Sequence, residues 1–295
     1  MTMNTKKFTM LGVTSALAFT LAACGDEDTS NQTVQEQLDY EIIGIDAGTG
    51  VMASTDVAIE TYDLDFNVLS SSDAAMTSEL GSRYAEEEPI VVTAWTPHWK
   101  FIEYDLKFLN DPELAFGESE DIHTVVHPSV EEEHPSAFEV LDRFYWTEDD
   151  MGYVQGQLYE GTDDDEAALD WITDNRDVVD EWIEGVEPVD GDEFLLASGA
   201  WDSERSSTAV VKLVLEEIGY EVNVNNLEVT IMWQAVAQGD AHAHVAAWLP
   251  HTHAAQYESF QDDVLDLGPN LEGARIGLAV PSYMDIDSID DLRED

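Results

Sequence analysis

Two short stretches constrain the fold most tightly: "AWTPHW" at residues 94–99 and "AWLPHTH" at residues 247–253. Each closes an apolar run with a tryptophan, a proline and histidine. An apolar run cut off by proline reads as a buried strand, because proline removes the next ladder N–H. Upstream of each lies a comparable unit. In "YEIIGIDAGTGVMASTDVAIETYDLD" a β-rich run from Ile42 to Ile45 meets a glycine-containing turn, and a helix-period segment starts near Met52. In "EFLLASGAWDSERSSTAVVKLVLEEIGYEVNV" the order is strand, turn, helix, strand. With "EPIVVTAW", "AHVAAWLP" and "ARIGLAVP" as further strands, the alternation predicts an α/β fold with largely parallel sheets. The repeated outline predicts two similar lobes. Ligands of open α/β sheets bind beyond the carboxyl ends of the strands, so both turns and both tryptophan motifs are expected at one cleft.

Between the halves, "SAFEVLDRFYW" and "DEAALDWITDNRDVVDEWIEG" each read as an amphipathic helix. Trp146, Trp171 and Trp182 on them are expected to pack in the core, as are Trp99 and Trp233.

Charge narrows the function. The 64 acidic against 11 basic residues give a formal charge of −53, which repels phosphate and excludes nucleic acid and an anionic membrane face as partners. Disorder is excluded by a hydrophobic fraction of 44% with eight tryptophans, enough for a packed core. A folded chain coated in carboxylates fits a protein exposed to high salt, where screening weakens self-repulsion, and points to a halophilic source.

The first residues read differently. "MTMNTKKFTMLGVTSALAFTLAAC" carries Lys6 and Lys7, then an apolar stretch too short for an ordinary membrane-spanning helix, then the sole cysteine. Residues 1–23 are expected to be a secretory signal, and "LAAC" resembles a lipobox that would place a lipid on Cys24. Residues 24–39 would then be a polar tether. A single cysteine allows no internal disulfide.

Catalysis finds little support. No G-x-S-x-G elbow is present, the "GTG" turn lacks the full phosphate-binding pattern, and no Walker lysine follows it. Carboxylates are too abundant to be informative. His242, His244, His251 and His253 form pairs of metal-ligand type, but a strand length separates the pairs, so no metal site is expected; His242 and His244 are read as surface histidines. The chain is therefore expected to be no enzyme and to carry no cofactor.

An aromatic cage fits better. Trp95, Trp201 and Trp248 all fall at predicted strand ends. A quaternary ammonium has no N–H to donate, so indole faces are its most effective partners. A zwitterion also needs an anion site, and backbone N–H groups of Gly50 and Val51, at the start of a helix, supply one. His253 can add a hydrogen bond. These roles compete with the reading that the tryptophans are ordinary core residues.

Together with "IIGIDAGTGVM", "EPIVVTAWTPHWKFIEYDLKFLNDP", "AWDSERSST", "MWQAVAQGDAHAHVAAWLPHTHAAQY" and "DLGPNLEGARIGLAVPSYMDIDSIDDL", these residues resemble the glycine betaine-binding lipoproteins of osmoprotectant ABC importers, from about Glu41 to Leu292. The resemblance implies a two-lobed, hinged, periplasmic-binding-protein-like fold of type II. It implies a tryptophan prism at Trp95, Trp201 and Trp248, with Gly50, Val51 and His253 on the carboxylate. Many relatives begin with the segment that starts here at Phe194, so the two halves stand in exchanged order. The expected lobes are residues 40–121 with 284–295, and residues 122–283. The implied ligand is glycine betaine or proline betaine, with choline, carnitine or ectoine as alternatives within the class and a histidine-based metal-binding protein as the alternative outside it. Implied partners are an ABC permease and its ATPase. The protein is expected outside the cytoplasmic membrane, monomeric, and tied to the membrane by its lipid alone.

Overall fold

A strand of 17 residues, Leu265–Pro281, organises the molecule. The computed structural model describes residues 32–293, so the proposed signal and Cys24 lie outside the described residues. In chain order the strands are β1 (Glu41–Ile43), β2 (Asn67–Leu69), β3 (Val92–Thr96), β4 (Leu106–Phe108), β5 (Glu120–Val126), β6 (Glu193–Ser198), β7 (Glu221–Asn226), β8 (Ala243–Leu249) and β9 (Leu265–Pro281). They pair in the order β2-β1-β3-β9-β5-β8-β6-β7, with β4 beside β9. The long strand serves two partners in succession. Its first part, from Leu265 to Ala274, pairs with β5, and its second, from Arg275 to Pro281, with β3 and β4.

The pairing is mixed rather than mostly parallel. β1 with β2 and β3, and β6 with β7 and β8, are parallel, each reached through a helical crossover of the kind the sequence predicts. β3, β4, β5 and β8 meet their central neighbours antiparallel, because β5 and β9 run back between the two parallel flanks. Single-strand patterns carry no sign of direction, so this was not legible.

Helices Gly50–Thr61 and Asp202–Glu217 follow β1 and β6. The second predicted inter-half helix is two, Asp164–Asp174 and Arg176–Ile183, broken at Asn175. Asparagine gives its side chain to a backbone carbonyl readily, and the Asn175 amide donates to Trp171 O at 2.9 Å. The break lets Trp171 and Trp182 stack at 5.9 Å, with Trp146 edge-on to Trp171 at 5.6 Å. All three are buried, as are Trp99 and Trp233. Near the end of the described chain, Ile289 N–H donates to Asn110 O and the Gln35 amide donates to Arg293 O, so residues 288–293 close against the β4 side.

Candidate ligand pocket

The residues from Asp46 to Val51 turn the chain out of β1 into helix Gly50–Thr61. Thr49 precedes the helix without a side-chain cap, and the first helical N–H groups have no intrahelical acceptor. Only glycine fits at position 50, since a Cβ there would lie 2.4 Å from Thr252 O. The helix N-terminus thus abuts the loop that follows β8.

That loop is held from below. Glu120, buried at the start of β5, accepts from His251 N at 3.2 Å and Thr252 N at 2.9 Å, and also from the Thr252 hydroxyl. Beyond it His253 folds back on the strand end. Its N–H donates to Trp248 O at 2.9 Å, while its Nδ1 accepts from Trp248 N–H at 3.1 Å and faces the Trp233 indole N–H at 3.4 Å. A ring nitrogen that accepts cannot carry the proton, so the proton is assigned to Nε2 as a donor. Burial lowers the His253 pKa to about 3, and the ring is neutral at ordinary pH.

All six nominated residues, Gly50, Val51, Trp95, Trp201, Trp248 and His253, line one pocket. Trp95 and Trp248 are buried and Trp201 is half-buried. Trp95 sits opposite Ile276 of β9 in register, and Ile276 also reaches the pocket wall. Trp201 precedes helix Asp202–Glu217, so a second helix N-terminus opens here. The free space is about 60 Å³, against about 930 Å³ for a cleft that shares Trp201 as a wall. Size favours the cleft, but its walls carry Asp46, Asp73, Asp202 and Glu228. The smaller space combines aromatic faces, helix N–H groups and a neutral imidazole, which is the chemistry of a small zwitterion.

Two features escaped the sequence reading. Glu204 lines the pocket, buried, with the Ser203 hydroxyl donating to it at 2.6 Å and the Trp248 indole bonded to it; burial pushes its carboxyl up to about 7. In a chain with 64 acids one carboxylate stands out only by position, and "WDSE" places this one in the first turn of a helix. Lys100, fully buried and not part of the pocket lining, holds its ammonium over the Trp95 ring.

The histidines differ from expectation. His244 is fully buried, not at the surface, because every residue of β8 is covered on both faces. His242 is half-buried and its Nδ1 accepts from Leu195 N–H at 2.8 Å. His251 is exposed, with its ring beside Gly117. Among the described residues no three His, Cys, Asp or Glu side chains gather as a metal site would require.

A mixed α/β frame with a small tryptophan-walled pocket at two helix N-termini is the architecture of a solute-binding protein. The match is specific: residues 17–174 and 195–295 fit the family described as the substrate binding domain of the ABC-type glycine betaine transport system, and the chain belongs to that family. It is 48% identical, over 98% of both chains, to the glycine betaine/carnitine transport binding protein GbuC of Listeria monocytogenes serotype 1/2a (strain 10403S). Among solved structures, lactococcal OpuAC in a closed form with glycine betaine is 40% identical over 52% of this chain and 61% of its own, with a TM-score of 0.49. A glycine betaine, L-proline-binding protein (ProX) from Borrelia burgdorferi is 32% identical over 51% and 58%, with a TM-score of 0.48. The family is one of transport binding proteins, not enzymes.

Proposed function

We propose that this protein captures glycine betaine, with proline betaine second, in the pocket between Trp95, Trp201 and Trp248. The three indoles enclose the trimethylammonium group. The N–H groups of Gly50 and Val51 and the Nε2–H of His253 take the carboxylate. Two lobes, residues 40–121 with 284–295 and residues 122–283, close on the ligand, and closure strips water from the cation–π contacts. The loaded protein delivers its solute, unchanged, to an ABC permease driven by an ATPase. It works outside the cytoplasmic membrane as a monomer, held there by lipid on Cys24. No helix among the described residues is long and apolar enough to cross a membrane.

One observation carries the reading. Residues from four separate segments, nominated for complementary parts of one ligand, line the same small pocket. The relative named for carnitine as well as glycine betaine makes carnitine a further ligand to try. Calorimetric titration with glycine betaine, carnitine and proline betaine tests the reading, with Trp201→Ala beside the wild type. Removing one ring face is expected to cost about 0.5–2 kcal/mol of affinity. Heat of binding left intact by Trp201→Ala, or no binding of any betaine, would defeat it.

A further inference from the structure

Among the described residues that line the tryptophan pocket, Glu204 is the one carboxylate. It sits in the first turn of helix Asp202–Glu217, with the helix N-terminus, the Ser203 hydroxyl and the Trp248 indole all favouring its charged form. No basic side chain pairs with it among the described residues. Arg205, next along the helix, turns to Asp164 and Asp202, and Lys100 lies on the ring of Trp95. A buried acid in that position acts on whatever enters the pocket.

We propose that Glu204 is a specificity-determining residue, the counter-charge to the ligand's quaternary ammonium, and that it admits cations without a carboxylate, of the choline type, beside the zwitterions. The proposal rests on the pocket being a quaternary ammonium site. A cage built of rings alone and a helix N-terminus favours the zwitterion, whose carboxylate the N–H groups hold. A fixed carboxylate shifts that balance, because a net cation gains its full attraction while a zwitterion's own carboxylate offsets part of it. The low dielectric of a buried site keeps the difference from being screened away.

The acid is also poised to change charge. Burial holds Glu204 near pH 7 when it faces no ligand charge, and an ammonium placed beside it draws it to the carboxylate. Binding therefore releases a proton, and affinity rises with pH up to about 7 and then levels off. The other groups around the pocket are Asp202 and Arg205 on the same helix, Glu120 under the Thr252 loop, His253, and Lys100 behind Trp95. His253 stays neutral over this range, but Lys100 is lowered to about 7 and needs a control.

The test is calorimetry on the wild type with choline chloride and with glycine betaine, in two buffers of different ionisation heat, from acid to mildly alkaline pH. Release approaching one proton per choline is expected, with the choline Kd falling by up to about tenfold per pH unit below neutrality. Glu204→Gln keeps an acceptor for the Trp248 indole and is expected to abolish the release. It should weaken choline at least about tenfold and weaken glycine betaine by a clearly smaller factor. Lys100→Met should leave the release in place. No proton release from the wild type overturns the proposal without any variant, so it stays testable even if Glu204→Gln does not fold. Equal losses of both ligands in Glu204→Gln overturn it too, since Glu204 then only positions Trp248. If the wild type binds neither ligand, the quaternary ammonium reading fails first and this proposal with it.

Discussion

The ammonium of Lys100 lies 3.9 Å from the centre of the Trp95 ring, fully buried, with no hydrogen-bond acceptor in reach. Burial brings the Lys100 pKa down to about 7, and the charge of Asp73 opposes that shift only in part. Trp95 thus has one face occupied by the protein's own cation.

Lys100→Met is expected to stabilise the fold. Methionine keeps the length of the stem and removes an ammonium that cation–π attraction, worth about 0.5–2 kcal/mol, only partly compensates. With the folded pKa below the unfolded value of 10.5, the unfolded chain binds the extra proton between about 7 and 10.5. The wild-type penalty is therefore complete below pH 7 and fades as pH rises toward 10.5. Melting at pH 6 and pH 10 should show a gain of about 1–3 kcal/mol at the lower pH and a smaller one at the higher. An unchanged melting temperature at both would contradict the buried charge.

The buried histidines give the opposite limb. His98 is lowered to about 4, and His244 and His253 to about 3, mainly by burial. The unfolded chain protonates its histidines first as pH falls from 6.5, so the stability these rings contribute is complete above 6.5 and drains away toward 3 to 4. Neither nitrogen of His244 has a hydrogen-bond partner among the described residues, so His244→Leu should cost less than about 1 kcal/mol at neutral pH. The difference between variant and wild type should then grow in the variant's favour as pH drops. The difference is the quantity to measure, because protonating carboxylates on a chain of charge −53 relieves repulsion in both proteins alike.

Lys100 and Glu204 mark where the sequence stopped being legible. The strand ends and the two helix starts could be read from local rules of periodicity, proline and glycine, and the six residues nominated for the ligand, which line one pocket, came from indole chemistry, a helix start and the family resemblance. Lys100 and Glu204 obey no local rule. A lysine between Trp99 and Phe101 and one glutamate among many become unusual only once β3 and helix Asp202–Glu217 bury them. The double service of β9 escaped for a related reason: only "ARIGLAVP" reads as a strand, and the glycine- and proline-containing "DLGPNLEG" before it gives no sign that the same strand continues through it.

Gly50→Ala tests the seam between the two halves of the pocket. A methyl group would meet Thr252 O at 2.4 Å and the carbonyl carbon at 3.0 Å, both backbone atoms of a loop that Glu120 holds in place. The helix start must move away, at a stability cost of about 1–3 kcal/mol. If the Gly50 and Val51 N–H groups hold the ligand's carboxylate, glycine betaine affinity falls by about tenfold or more while choline, which has no carboxylate, is affected less. Equal loss of both ligands would assign the N–H groups a purely structural part.

Salt separates what the surface does from what the pocket does. With 64 acidic residues against 11 basic ones, self-repulsion opposes the compact state, and screening acts over about 10 Å at 0.1 M and about 3 Å at 1 M ionic strength. The melting temperature is therefore expected to climb steeply between low and molar potassium chloride. Glycine betaine is neutral overall, and its proposed contacts are buried rings, helix N–H groups and a neutral imidazole. Its Kd should shift by less than about threefold over the same range, once each measurement is made where the protein is fully folded. A betaine Kd that rises in step with salt would mean that exposed ion pairs, not indole faces, hold the ligand.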